Sequence, residues 1–440
     1  MKKYFILTMG CQMNEYDSLR IAAIFDKMGF CRTEDMDEGD YLIVNTCSVR
    51  EKPQHKADSS IGRFKKIKKQ RPDVKIGFCG CVAQQEGSNI LKSFKYVDFV
   101  VGTDGLDRLE EVIGCVENGQ RVCDTDVNEG ALTIGGFKRN VSVSSFVTIM
   151  KGCDNFCSYC IVPYVRGREK SRSLSEIMDE IKYLADGGAR EVTLLGQNVN
   201  SYGKGFSDDS RISFAELINR VSEVDGIRRV RFVTSHPKDF SDDLIAVMRD
   251  NEKVCEYLHL PLQAGSDSVL KAMNRRYTYA SYLEKVMKAK QAVKGLALSS
   301  DFIVGFPDET DEDFERTMNA LREIEYETIF AFAYSVRPGT KAADYADNVP
   351  DEVKKMRLAR VLDLQKQIMA KKSKEYEGQT VEVMVEGRGK KDSGQFSGRN
   401  RQNKVVNFTS KKHIDIGDFA KVLITHARPN SLLGKSADGE

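Results

Sequence analysis

Three cysteines set close together carry the sharpest chemical signal in the chain: Cys153, Cys157 and Cys160, spaced C-x3-C-x2-C. Three thiolates on one short loop can hold three corners of a [4Fe–4S] cubane and leave its fourth iron without a protein ligand. An iron open in this way can chelate the amino and carboxylate groups of S-adenosylmethionine and pass an electron to its sulfonium, releasing a 5′-deoxyadenosyl radical. The competing reading is structural zinc. Such sites are closed by four ligands, and no fourth Cys or His lies nearby in the sequence.

A second set is spread more widely. Cys11, Cys47 and Cys81 each follow an apolar run that reads as a strand, YFILTM (4–9), YLIVNT (41–46) and KIGFCG (75–80). Parallel strands share one carboxyl edge, so ligands far apart in sequence converge in the crevice where α/β sheets bind cofactors. Three cysteines again suit a cluster with one open iron, although any one of them alone reads equally well as a small buried hydrophobe. Cys79, two residues before Cys81, is an alternative third ligand. Cys31, Cys115, Cys123 and Cys255 read as core or incidental thiols.

The elements that must position these residues follow from the apolar pattern. Over residues 1–120 the three runs and VDFVVG (97–102) recur at intervals of about thirty residues, which is βαβ spacing. Their continuous apolar character predicts a doubly wound parallel sheet covered on both faces. Residues 121–138 read as a linker. From Phe146 onward, FVTIM, EVTLLGQ, RVRFVTS, YLHLPLQ, LALSSDFIVGF and TIFAFAYS alternate with amphipathic helices, predicting a partial or full (β/α) barrel over 139–370 with its chemistry at the carboxyl ends of its strands. Ser173-x-x-Glu176 is a capping-box pattern for one of those helices. After Pro350 a long charged helix leads to about Glu377, and residues 371–440 show the turn-rich pattern of a small antiparallel β-barrel.

Composition sets outer limits. The 440 residues are too many for one ordinary core. A balance of 67 Lys+Arg against 65 Asp+Glu excludes a polycation overall, so any nucleic-acid surface must be local. No stretch reaches the roughly 18 apolar residues of a membrane span, and the opening residues are too briefly apolar for a signal segment. A cytoplasmic chain without a membrane anchor is expected, and most simply a monomer. In that reducing compartment 11 cysteines point toward ligation or catalysis for some of them.

The loop CDNFCSYC resembles the radical S-adenosylmethionine superfamily, whose three-cysteine motif carries an aromatic before its last cysteine, the place of Tyr159. LGQNVNSYG (195–203), SHP (235–237), HLPLQAGSD (259–267) and DFIVGFPDET (301–310) resemble that family's cofactor- and substrate-lining loops, which implies cofactor contacts for Tyr159, Gln197 and Asn198. MGCQMNEYDS, NTCSVREK and GCVAQQEG resemble the cysteine segments of the methylthiotransferase N-terminal domain, and the first two resemble the branch that modifies N6-isopentenyladenosine in tRNA. Asp308, where the family often has Gly after GFP, and Ala264, where Ser is common after the Gln, depart from its pattern.

The resemblance implies two [4Fe–4S] clusters, S-adenosylmethionine, and an electron donor such as flavodoxin or ferredoxin. By the family's precedent, one S-adenosylmethionine methylates a sulfur held at the N-terminal cluster, and a second, cleaved at the other, yields the radical that activates carbon 2 of the adenosine. The same chemistry on threonylcarbamoyladenosine or on a ribosomal protein is the nearest alternative. A non-catalytic metal-binding RNA-binding protein is the alternative of a different class.

Residues 386–412 hold Arg388, Lys390, Lys391, Arg399, Arg401, Lys404, Lys411 and Lys412 against Glu386 and Asp392, with Phe396 and Phe408 interleaved. Basic residues with aromatics on a small barrel suit phosphate contact and base stacking, and equally a solvated face. GQTVEVMVEG and VLITHARPNSLLG resemble the TRAM domain, a tRNA-binding barrel. Arg166, Arg168, Lys170 and Arg172 follow the cysteine loop, where they could hold phosphates of the anticodon loop and stem or form surface ion pairs. His236 and His259 read as contacts to a ligand or as polar barrel lining, with no catalytic role assigned.

Overall fold

The structure, a computed structural model, describes residues 1–48, 62–128, 130, 132, 134, 136–206, 212–389 and 394–437. The apolar runs of the N-terminal domain become parallel strands ordered Cys31–Arg32, Lys3–Met9, Tyr41–Thr46, Lys75–Gly80, Phe99–Val101 and Val122–Asp124. Tyr41–Thr46 is buried along its whole length, as a central strand covered on both faces must be. Cys31–Arg32 lies to one side of the first strand and every later strand to the other, so a topological switch point falls beside Tyr41–Thr46.

The expected linker is not a free connection. Its Val122–Asp124 stretch pairs with Phe99–Val101 as the edge strand, and Ile134 is buried among Met13, Tyr16 and Leu195 between the first two domains. Short apolar residues inside a polar stretch found sheet and core partners that the composition did not reveal.

In the central domain two parallel three-stranded sheets, Arg229–Phe232/Glu191–Leu195/Ser144–Thr148 and Tyr257–His259/Ala297–Val304/Thr328–Ala333, are linked by a Val230–Val254 bridge into an open six-stranded barrel. Helices including Leu174–Asp186, Phe214–Ser222, Tyr279–Ala292 and Asp311–Ile324 wrap it, and Ile181, Ile218, Val286 and Met318 join Leu194, Phe302 and Ile329 in one core. Ser173 caps its helix by accepting from the Glu176 amide at 3.3 Å.

Helix Asp351–Lys374 leads to a closed five-stranded barrel. Four of its strand pairs are antiparallel. The fifth, Val405–Thr409 with Ser431–Ser436, is parallel, because the final hairpin returns the last strand beside the third in the same direction. The turn at 400–404 is set against the amino end of the central barrel. There Arg231 donates to the carbonyls of Asn400 and Arg401 at 2.7 and 2.8 Å, and Arg229 to that of Arg399 at 2.9 Å.

Candidate active site

Met9, Thr46 and Gly80 are register partners on three adjacent strands, so the chain places Cys11, Cys47 and Cys81 side by side just past one sheet edge. Cys79 lies within its strand and is buried in a different core with Tyr4, Ile6 and Phe99, which removes it from this group. Close approach depends on glycine at two points. A Cβ on Gly10 would sit 2.6 Å from Cys47 Cβ, and one on Gly80, at φ +91°, 2.3 Å from Asn45 Oδ1.

Buried Asn14 ties the segments together. Its Nδ2 donates to Asn45 Oδ1 at 3.1 Å and to the Thr46 carbonyl at 3.0 Å, its carbonyl accepts from Asn45 Nδ2 at 2.8 Å, and its Oδ1 accepts from the Cys11 thiol at 3.4 Å. A hydrogen bond from Cys47 pulls the Cys11 thiol down to about 5 and that of Cys81 to about 7, with the Arg166 guanidinium assisting against burial. The same bonds hold Cys47 above the usual thiol range. Thiolates are the form that ligates iron. The three donors are all cysteine sulfurs with no fourth ligand supplied by a neighbouring motif, a set that suits a cluster with one open iron better than closed tetrahedral zinc.

The loop bearing Cys153, Cys157 and Cys160 is pinned from several sides. The Gly152 amide donates to Gln197 Oε1 at 2.6 Å, and a Cβ on Gly152 (φ +79°) would lie 2.0 Å from the Arg168 carbonyl. The Ser158 amide donates to the Met273 carbonyl at 3.0 Å and its hydroxyl to that of Ala272 at 2.8 Å. Asn274 Nδ2 donates to the Phe156 carbonyl at 2.9 Å, and Asn155 Nδ2 to Cys153 Sγ at 3.4 Å. Arg275 Nη1 donates to Cys157 Sγ at 3.2 Å. Burial raises the Cys153 thiol and pushes Cys160 up to about 12.

Beside this loop, at the carboxyl ends of the barrel strands, several buried polar atoms have no partner: Asn198 Oδ1, both side-chain atoms of Asn200, Ser235 Oγ and His236 Nε2. Burial, with Arg275 and nearby lysines, pushes the His236 ring down to about 2. Buried polar groups rarely stay unsatisfied, and a polar ligand bound here would supply what they lack. His259 is engaged within the barrel, on Ser299 Oγ at 2.8 Å.

The two cysteine groups lie on either side of one helix. Val162–Arg166 follows Cys160 directly, and Cys81 packs on its Val165 and on Ile161. Thr103 donates to the Val165 carbonyl at 2.6 Å, and Lys151 reaches across to Asp104.

Of the residues expected to contact cofactor, Tyr159 packs against the barrel core, Gln197 braces Gly152, and Asn198 donates to Asp239 at 2.7 Å while leaving its Oδ1 open. The expected RNA contacts divide. Arg168 is exposed, pairing with Asp154 at 2.9 Å beneath solvent, and Arg399 is half-buried beside Glu386. Arg166 is turned inward onto Asp17 at 2.7 Å, Arg401 onto Glu256 at 2.7 Å, and Lys404 onto Glu327. Each of these charges is paired with a carboxylate at a domain contact, Arg166 and Lys404 buried and Arg401 partly exposed.

Phe396 and Phe408 likewise stack on each other inside the barrel, 5.6 Å apart, because alternate residues of a closed barrel point inward. Arg388, Lys411 and Lys412 remain exposed, while Lys390, Lys391 and Asp392 lie outside the described residues. Asp308 adopts φ +63°, the left-handed region in which glycine is the least strained residue. Sequence reading missed Asn14, Asn155 and Arg275, for which no periodicity or motif spacing gives a cue.

Three family models match successive parts of the chain. Residues 3–102 match the model described as Uncharacterized protein family UPF0004, 147–321 the Radical SAM superfamily, and 374–436 the TRAM domain. The chain is 46% identical to the tRNA-2-methylthio-N(6)-dimethylallyladenosine synthase of Carboxydothermus hydrogenoformans, covering 97% of each chain. It is 43% identical to that of Syntrophotalea carbinolica, covering 99% of this chain and 100% of the relative. In fold it is similar to the radical S-adenosylmethionine methyltransferase TsrM from Kitasatospora setae, with TM-score 0.56, 14% identity, and 78% and 74% of the two chains covered.

Proposed function

The chain belongs to the family of tRNA-2-methylthio-N(6)-dimethylallyladenosine synthases, radical S-adenosylmethionine methylthiotransferases, and we propose that it adds a methylthio group to carbon 2 of N6-isopentenyladenosine at position 37 of tRNA. The observation that supports this reading best is the pair of separate cysteine triads, each at the carboxyl edge of a parallel sheet, with helix Val162–Arg166 between them. The C–H bond at that carbon is inert to side-chain bases, so the reaction calls for a radical.

Cys153, Cys157 and Cys160 would hold one [4Fe–4S] cluster, whose open iron supplies reductive cleavage of S-adenosylmethionine to a 5′-deoxyadenosyl radical. Asn198, Ser235 and His236 offer the unsatisfied polar atoms to bind and orient that cofactor. Cys11, Cys47 and Cys81 would hold a second cluster that presents the sulfur. With its Nδ1 accepting from the Lys238 amide at 3.2 Å, neutral His236 presents Nε2–H as a donor without adding a further positive charge beside Arg275. A low-potential protein such as flavodoxin or ferredoxin supplies the electron, and the C-terminal barrel grips tRNA through its exposed cations.

Anaerobic reconstitution with iron and sulfide, followed by iron counting, 5′-deoxyadenosine assay and nucleoside mass spectrometry, tests this. About eight irons per chain and methylthiolation of isopentenylated tRNA are expected. Cys47→Ala should keep cleavage and lose sulfur insertion, and Cys157→Ala should lose both. Thiolation by Cys47→Ala, or modification of threonylcarbamoylated tRNA alone, would refute the reading.

A further inference from the structure

Buried arginines in this chain come with carboxylates. Arg166 pairs with Asp17, Arg172 with Glu180, Arg229 with Glu382, Arg231 with Glu191 and Arg357 with Glu309, each at 2.6 or 2.7 Å. Arg275, 4% exposed, departs from that rule. Its guanidinium donates to Tyr277 Oη at 2.8 Å, to the Pro261 carbonyl at 3.0 Å and to Cys157 Sγ at 3.2 Å. The titratable groups that act on it most strongly are Tyr277, Tyr159 and Cys157, none of them carboxylic. A buried cation is strongly disfavoured unless an anion accompanies it. Of its partners, a cysteine sulfur that ligates iron is the one anionic at neutral pH.

Arg275 also belongs to the segment that fixes the cysteine loop. Met273 and Ala272 receive the amide and hydroxyl of Ser158, and Asn274 holds the Phe156 carbonyl. The charge is therefore delivered to one sulfur by a rigid frame.

We propose that Arg275 is the permanent counter-charge of the iron–sulfur site on the Cys153–Cys160 loop, a positioning residue that hydrogen-bonds the Cys157 sulfur and raises the site's reduction potential. The inference rests on the reading that this triad holds a cluster. Hydrogen bonds and positive charge at cluster sulfurs favour the reduced, more negative state. The residue thus eases the single-electron transfer from the low-potential donor that precedes cleavage of S-adenosylmethionine.

The test is a potentiometric titration, followed by electron paramagnetic resonance, of the signal that responds to S-adenosylmethionine in the full-length reconstituted enzyme. Arg275→Met should retain iron and shift the midpoint downward, so that the ratio of reduced to oxidised centre at a fixed donor potential falls about tenfold, equivalent to about 59 mV for one electron. Titanium(III) citrate, a stronger reductant than dithionite, should then restore 5′-deoxyadenosine formation. Arg275→Lys, which keeps the charge, should stay near wild type. An unchanged midpoint in an iron-loaded Arg275→Met protein would overturn the proposal. So would equal losses of iron in the Met and Lys variants, which would make Arg275 a packing residue only. Absence of iron from the loop in the wild-type enzyme would instead overturn the cluster reading.

Discussion

Asn14→Ala isolates the contribution of side-chain framing to the first cysteine triad. Asn14 is fully buried, and its Nδ2 supplies donors to Asn45 Oδ1 and to the Thr46 carbonyl. Truncation leaves both acceptors without that donor, at about 1–3 kcal/mol for each unsatisfied buried group. The bond from Asn45 Nδ2 to the residue 14 carbonyl survives, so the lower half of that range applies and the sum is about 3 kcal/mol. For a unit near 100 residues, each kcal/mol moves the melting temperature by roughly 4–8 °C, so the N-terminal transition should fall by more than about 10 °C. Calorimetry of the apoprotein reads that transition, and iron counting after reconstitution reads the triad. Iron should drop toward about four per chain, while cleavage of S-adenosylmethionine, carried by the other loop, persists. An Asn14→Ala protein that melts within about 1 °C of wild type and takes up full iron would refute the reasoning.

Other outcomes follow from the same geometry. His236 is neutral when folded and pushed down to about 2, against about 6.5 unfolded. Its neutral burial is therefore without cost above about pH 6.5, and as the pH falls toward 2 it removes about 1.4 kcal/mol of stability per unit. His236→Gln should flatten the acid limb of melting temperature against pH. Arg231→Met strands Glu191 in the barrel and removes two bonds to the 400–404 turn, so chemical denaturation should show a loss of about 3–5 kcal/mol. For tRNA binding, Arg168→Ala or Lys412→Ala should each lower the slope of log affinity against log salt by about 0.7–0.9. Lys404→Ala, whose charge is held by Glu327, should leave that slope unchanged.

What could be read in advance was whatever depends on local order. Continuous apolar runs located the parallel strands, and strand-end placement brought Cys11, Cys47 and Cys81 together because parallel topology converts sequence order into one shared edge. Charge was the weak point. Arg166, Arg401 and Lys404 look in sequence like Arg168 and Lys412, and only tertiary contacts tell a neutralised cation from a solvated one. Asn14 pairs with Asn45 and Arg275 with Cys157, partners too distant in sequence for any periodic signal. Phe396 and Phe408 were misread for a related reason: in a closed barrel every other side chain is interior, and the basic composition around them hid that alternation.

The 400–404 turn, seated against the amino end of the central barrel by Arg229 and Arg231, also fixes a length. With the carbonyls of Arg399, Asn400 and Arg401 bonded to two core arginines, the C-terminal barrel cannot swing freely on helix Asp351–Lys374. The spacing of the two barrels is therefore set by these bonds as well as by the helix that joins them.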